Sequence, residues 1–266
     1  MIFSREFYAL NLALAKRVQK VAYFLLELAL RQYTNLYIRF GLRHVLDQHN
    51  PVWQEYILGL TGSEGDVAWT YRFALQHGSY PEVDTLQATF GCFSYSVWDE
   101  KSIRIHFHNN EGPGISPLSD ARRELRLDEL RGMFGHIKQH ESRMETALGG
   151  SWLYHLEAYR RLFPPAFLST VRPGKNDYPY LTLWGQFLDR NGQVRPEPAR
   201  KFMDSLEMQT TLAGILGSFP LKALYVEAPL QAFYEFYAIR YIVGVNPRFL
   251  TQFPFPKETK NIHYVK

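Results

Sequence analysis

Residues 102–167 limit the fold more than any other stretch: an alternating segment, a glycine-containing loop, a long helical segment, a second alternating segment and a short helical one follow in that order. Strand, long helix and strand at this spacing predict a crossover unit, and such crossovers are right-handed and leave their two strands parallel. Parallel strands end on the same edge, so the unit brings His108, Asn109, Tyr154 and His155 towards one edge. That is the edge where ligands of α/β sheets bind. The loop Glu111-Gly112-Pro113-Gly114-Ile115-Ser116 falls between the first strand and the helix. Free backbone N–H groups at such a turn lie at the positive end of the helix dipole, and glycines let a pyrophosphate come close to them.

The flanking segments extend the unit into a sheet. Residues 85–98 alternate Leu86, Ala88 and Phe90 against Gln87 and Thr89, which predicts a strand, and residues 99–101 form a hairpin turn into 102–108. A helix capped by Ser119 or Asp120 is expected to run to about His140, with a break near Leu127-Asp128. Residues 146–155 return as a strand, and a short helix over 156–163 stops at Pro164-Pro165. Further on, a strand is expected over 180–188, a turn at Asn191-Gly192, a proline-opened helix over 198–211 and a strand over 221–228. Residues 230–241 either prolong that strand past Pro229 or form a helix.

Upstream, Leu10, Leu14, Val18, Val21, Leu25 and Leu28 recur three or four apart, which predicts a helix pair over 7–46. Asn50-Pro51 and the glycines of 59–65 punctuate the chain ahead of a helix over 66–76. The expected organisation is a helical N-terminal extension over 1–62, an α/β domain over 63–250 and a tail over 251–266. The fold class is α+β, a mixed central sheet with flanking helices.

Composition narrows the functional classes. The chain is 46% hydrophobic and 15% aromatic, ample for a core in 266 residues, and disorder is not expected. Its net charge of +4 is spread without a basic stripe, which argues against nucleic acid as a partner. The single cysteine, Cys92, excludes an internal disulfide and suits a reducing compartment; flanked by Gly91 and Phe93 in a strand-like run, it reads as a small buried residue. The richest apolar run, residues 21–30, contains Glu27 and falls short of the roughly 20 apolar residues of a bilayer span. No small-residue cleavage site follows the N-terminus, so the expectation is a cytoplasmic protein without a signal peptide or integral membrane segment. The N-terminal helices offer a face for a homodimer or a protein partner.

The order of antiparallel hairpin, phosphate-type loop, helix, parallel strand, short helix and later strands resembles the GNAT acyltransferases over about residues 85–228. The family's pyrophosphate loop, Q/R-x-x-G-x-G/A, aligns with Glu111 to Ser116, and the register Asn109-x-x-Gly112-x-Gly114 gives a neutral first residue. A family pattern like N-x-x-A-x-x-x-Y-x-x-x-G-F, after its fifth strand, has the spacing of His155-Leu156-Glu157-Ala158-Tyr159-Arg160-Arg161-Leu162-Phe163-Pro164-Pro165-Ala166-Phe167, with Ala158 and Phe167 in place. Two positions depart. Glu111 stands where the family has Arg or Gln, and a carboxylate beside a pyrophosphate repels it. Leu162 stands where the family's tyrosine protonates the departing thiolate, leaving Tyr154 or Tyr159 as substitutes.

The resemblance implies acyl-CoA, or a related thioester, as cosubstrate, with direct transfer of the acyl group to a small-molecule amine. Asn109, Gly112, Gly114, Ile115 and Ser116 are then the cofactor-binding residues, His108 or His155 the base and Tyr154 the acid. Imidazoles titrate near neutrality and suit the first role. Main-chain amides where the two strands part would hold the thioester oxygen. One alternative is a GNAT-like protein without catalysis, serving binding or interaction; the departures at Glu111 and Leu162 favour it. Another is a metal-dependent hydrolase, since His106 and His108 share a strand face and His136 and His140 lie one helical turn apart. The pairs are expected at opposite ends of the sheet, about 24 Å of helix apart, so no metal is assigned.

Overall fold

The structure, a computed structural model, describes residues 3–42, 46–60, 65–78, 86–112, 114–173 and 183–239. The residue 62 boundary and the 251–266 tail lie outside them. The chain begins with helices α1 (Arg5–Ala22), α2 (Leu26–Tyr33), α3 (Leu36–Arg39), α4 (Pro51–Gly59) and α5 (Asp66–His77). In α1, Glu6 in the first turn and Lys20 in the last suit the helix dipole, while Phe7, Leu10, Leu14 and Val18 are buried. It stops at Tyr23, whose φ of 56° is left-handed. Pro51 opens α4, and the Asn50 side chain accepts hydrogen bonds from the amides of Val52 and Trp53.

Next, β1 (Leu86–Phe90), β2 (Phe93–Val97) and β3 (Ser102–Phe107) form an antiparallel meander. The single strand expected over 85–98 is thus two strands. Gly91, at φ 58°, turns the chain so that Phe90 pairs with Phe93, and Cys92 sits in the turn rather than in a strand. Alternation continues through such a turn because Phe90 and Phe93 land on one face.

A 3-10 turn over Asp120–Arg122 then leads into α6 (Arg123–His140). The break expected at Leu127-Asp128 is absent, because Arg126, Leu130, Met133, Phe134 and Ile137 make one buried stripe along the helix. The expected strand over 146–155 is shorter: β4 (Thr146–Ser151) gives way to a 3-10 turn over Trp152–His155, capped by Ser151 Oγ, which accepts from the Leu153 amide at 3.1 Å. Short helices α7 (Glu157–Arg160) and α8 (Pro165–Leu168) and the edge strand β5 (Arg172–Pro173) follow.

The strand expected over 180–188 is a 3-10 turn over Trp184–Phe187, with 180–182 outside the described residues. Leu183, Trp184 and Phe187 are all buried in one aromatic core, which the two-sided alternation of a strand does not allow. The chain ends its described part with α9 (Pro196–Met208), α10 (Leu212–Gly217), β6 (Leu224–Pro229) and α11 (Leu230–Phe236), so residues after Pro229 are helical.

Among the described residues, the strand order β1-β2-β3-β4-β6-β5 makes a six-stranded mixed sheet: β3 and β4 are parallel, and the other neighbours antiparallel. The protein is mixed α/β, with helices flanking that sheet. Among the described residues, the buried hydrophobic side chains form two clusters. One lies under the sheet, from Phe93, Tyr95, Ile103 and Ile105 to α6 and to Phe233 of α11. The other is helical and joins α1, α4 and α5 to Trp184, Phe187, Phe202 and Phe219, segments inserted between β5 and β6. Because β6 lies between β4 and β5 in the sheet, the chain must leave the sheet, pack against the N-terminal helices and return before the sheet is complete.

Candidate functional site

The parallel ladder of β3 and β4 pairs Ser102 with Thr146 through Ile105 with Gly149 and stops. Both strands continue past that rung with their other neighbours. His106 and Phe107 pair with Ser94 and Phe93 of β2, and Gly150 and Ser151 pair with Tyr225 and Leu224 of β6. The two strands therefore part at the end from which the glycine loop leaves. The His108 amide donates to the Cys92 carbonyl at 2.9 Å, on the β2 side. By the alternation of a strand, the Phe107 amide is turned to the β4 side, beyond the last rung.

Tyr154 stands at this parting. It is buried, and a Cβ added to Gly149 would fall on its hydroxyl and come within 2.8 Å of Val226, so glycine is needed in β4 for the phenol to fit. Its ring meets Tyr159 edge-on at 5.1 Å, and the Tyr159 ring meets Phe107 at 5.5 Å. Burial raises the pKa of both phenols well above the ordinary tyrosine value, so both keep their protons at neutral pH. Leu162 is buried in the same cluster, and its carbonyl accepts from the Tyr237 hydroxyl at 2.7 Å.

The histidines are not drawn into the gap together. His108 Nε2 lies 2.7 Å from Ser94 Oγ on β2, while His155 Nε2 lies 3.1 Å from the Lys222 carbonyl just ahead of β6. Each imidazole is tied to the outer neighbour of its own strand. Desolvation lowers the His108 value, so this imidazole is neutral at pH 7 and able to accept a proton. His106 forms a parallel contact, Nε2 to Ser96 Oγ at 2.8 Å. His136 and His140 stack at 4.1 Å, and His136 packs over Phe90 and Tyr95 on the α6 side of the sheet. The two histidine pairs thus lie on opposite faces. Among the described residues, no group of three or more His, Cys, Asp or Glu side chains is placed to hold a metal.

In the loop, Gly114 has φ 78°, and Cβ atoms at Gly112 and Gly114 would meet open space. Its amides are partly engaged. Gly114 N–H donates to Asn191 Oδ1 at 3.0 Å, Ile115 N–H to the Gly112 carbonyl at 3.2 Å, and Glu111 N–H to Asn109 Oδ1 at 3.2 Å. The Ser116 amide has no acceptor among the described residues. Pro117 to Ser119 separate the loop from the helical segment, which opens as a 3-10 turn at Asp120, next to the cap expected at Ser119 or Asp120, and becomes α6 at Arg123.

Glu111 turns away from the loop mouth. Its Oε1 lies 2.8 Å from Arg126 Nη2 and 3.4 Å from Arg122 Nε. Arg126, only 3% exposed, also pairs with Glu129 at 2.9 Å and donates to the Cys92 thiol. Glu129 in turn accepts from the Cys92 amide at 3.0 Å. Burial raises the Cys92 thiol and opposes ionisation. This network, which locks the β1–β2 turn and the loop onto α6, was not legible in sequence; its one signal is an arginine on the apolar stripe of a helix.

Asn191 belongs to the expected Asn191-Gly192 turn, where Asp189 Oδ1 accepts from the amides of Asn191 and Gln193 at 2.8 and 2.9 Å. The same turn, through Gln193 and Val194, lines a groove of about 570 Å³ against α1 and α9. No helix among the described residues is long and apolar enough to cross a membrane. Comparison of the chain with models of protein families, with curated proteins and with solved structures gives no match.

Proposed function

We propose that this protein is a GNAT-like acyltransferase that uses acyl-CoA, or a related thioester, to acylate an amine. The observation that carries this reading is the parting of β3 and β4 past Ile105 and Gly149, beside a loop whose glycines leave open space. A thioester lying in the gap would meet the Phe107 amide, a donor aimed where the carbonyl oxygen gains charge as the amine attacks. The nitrogen–carbon bond forms, the carbon–sulfur bond breaks, and the thiol leaves with a proton. His108, just past the end of β3, neutral and held by Ser94, is the base for the proton lost by the amine, directly or through water. Tyr154, hydroxyl over Gly149 and partnered with Tyr159, is the group for the departing thiolate. The Glu111 carboxylate, engaged by Arg126, is held off an incoming pyrophosphate. The cradle is then Gly112, Gly114, Ile115 and Ser116, with Asn191 displaced from the Gly114 amide on binding.

A second reading, a GNAT-like binding protein without catalysis, is favoured by the ties of His108 and His155 to Ser94 and the Lys222 carbonyl and by the burial of Tyr154. Calorimetric titration with acetyl-CoA and longer acyl-CoAs tests the shared part. Saturable binding is expected, and absence of binding at millimolar ligand removes the acyltransferase reading and the acyl-CoA part of the second. Free-thiol release with a panel of amines then separates them.

A further inference from the structure

The face of the sheet opposite α6 carries Arg104, His106, Ser94 and Ser96, all within the β2–β3 pair that borders the gap. Arg104 is partly buried with its guanidinium 5.0 Å from the centre of the Trp98 ring. Its Nη2 reaches the gap: a Cβ added to Gly150 would lie 3.2 Å from it and 3.5 Å from the Tyr225 ring. Among the described residues, no carboxylate stands within ion-pair distance of Arg104. Glu227, on the same face two strands away, is paired with Arg172 at 3.0 Å, and Glu145 with Lys101 at 2.8 Å. A partly desolvated guanidinium without a counter-charge is costly, and a ligand that supplies the charge recovers the cost. Its planar fork matches a carboxylate through two parallel hydrogen bonds.

We infer that Arg104 receives the carboxylate of the acceptor, so that the substrate is an amine bearing a carboxylate, such as an amino acid. The inference rests on the acyltransferase reading and names the substrate class of that same gap. The pyrophosphate of the thioester is not the anion in question, because Arg104 lies three residues before the end of β3, about 10 Å of strand below the loop. The Arg104 guanidinium and the Tyr225 ring lie over Gly150, which sets the guanidinium at the side of the gap.

The test compares glycine, the other protein amino acids, β-alanine and γ-aminobutyrate with their carboxamides, on the full chain and on Arg104→Gln and Arg104→Lys. Acyl transfer followed by thiol release is expected to favour at least one acid over its amide by about 100-fold in kcat/KM. Arg104→Gln should remove most of that preference through KM, Arg104→Lys should restore part of it, and acetyl-CoA affinity should be unchanged in both. Equal use of acids and amides by the unaltered protein, or an unchanged preference in Arg104→Gln, overturns the inference while leaving the acyltransferase reading intact. If acetyl-CoA does not bind, that reading falls by itself, and NMR titration with the same acids and amides still reads Arg104: failure of every acid to bind more tightly than its amide overturns the inference.

Discussion

The two faces of the sheet are made by the same strands and differ in what covers them. On one, Tyr95, Ile103, Ile105 and Ala147 are sealed under α6 with Phe134 and Phe233 stacked at 4.3 Å. On the other, Ser94 and Ser96 hold His108 and His106, and Arg104 stands over Trp98 with its guanidinium beside Gly150. Residues one apart along β3 thus face a packed core and a set of polar contacts in turn. The polar groups of the second face contact one another or an aromatic ring, where the first face has apolar packing.

The sharpest way to break the contrast is to truncate neighbours on opposite faces of β3 and its partner. Ile103→Ala, at a fully buried position, is expected to cost about 2–5 kcal/mol in chemical denaturation. Ser96→Ala, which loses only the His106 contact, should cost about 1 kcal/mol. Equal losses would mean that the second face is a core like the first. An effect between those two is expected at the gap, where Gly149→Ala pushes a methyl onto the Tyr154 hydroxyl and should cost about 1–3 kcal/mol. Tyr154→Phe in the same chain removes the nearest of the atoms in the way, so the double variant should regain part of the loss; strictly additive losses would place the phenol elsewhere.

The smallest effect concerns His108. Its folded value is depressed by burial below the ordinary histidine value of 6.5. The unfolded chain therefore binds more protons as pH falls, so the stability linked to this group is present above pH 6.5 and is lost below it. His136, also depressed by burial, adds to the same slope, so the measurement is a difference. Denaturation between pH 7.5 and pH 5 should show a shallower fall for His108→Gln than for the unaltered protein, as about one linked proton is removed. Identical slopes would show that the imidazole titrates as in water.

Much of the sheet was legible because its signals are local. The 102–108 strand, the helix ending at His140 and the parallel return at 146 each rest on periodicity within one segment, and the structure has them as β3, α6 and β4. Misread boundaries share one cause. Alternation does not register a change of direction, so the Gly91 turn was absorbed into a strand, and the hydrophobic run through Trp184 and Phe187 passed for a strand although its partners were Phe202 and Phe219. For the candidate site, sequence placed His108, Tyr154 and the glycines near one edge but could not give the ties that orient them.

By itself, the sequence determined that a glycine loop and a long helix join two parallel strands and that hydrophobic periodicity packs the N-terminus as helices, because backbone geometry and side-chain period are set residue by residue. Only the tertiary structure decided where β3 and β4 part, that Arg126 draws Glu111 from the loop, that Asn191 meets Gly114, and that Arg104 faces the gap without an acid among the described residues. Those arrangements join residues 15 to 77 positions apart, or fail to join them, and depend on where the chain returns after folding, which no local pattern encodes.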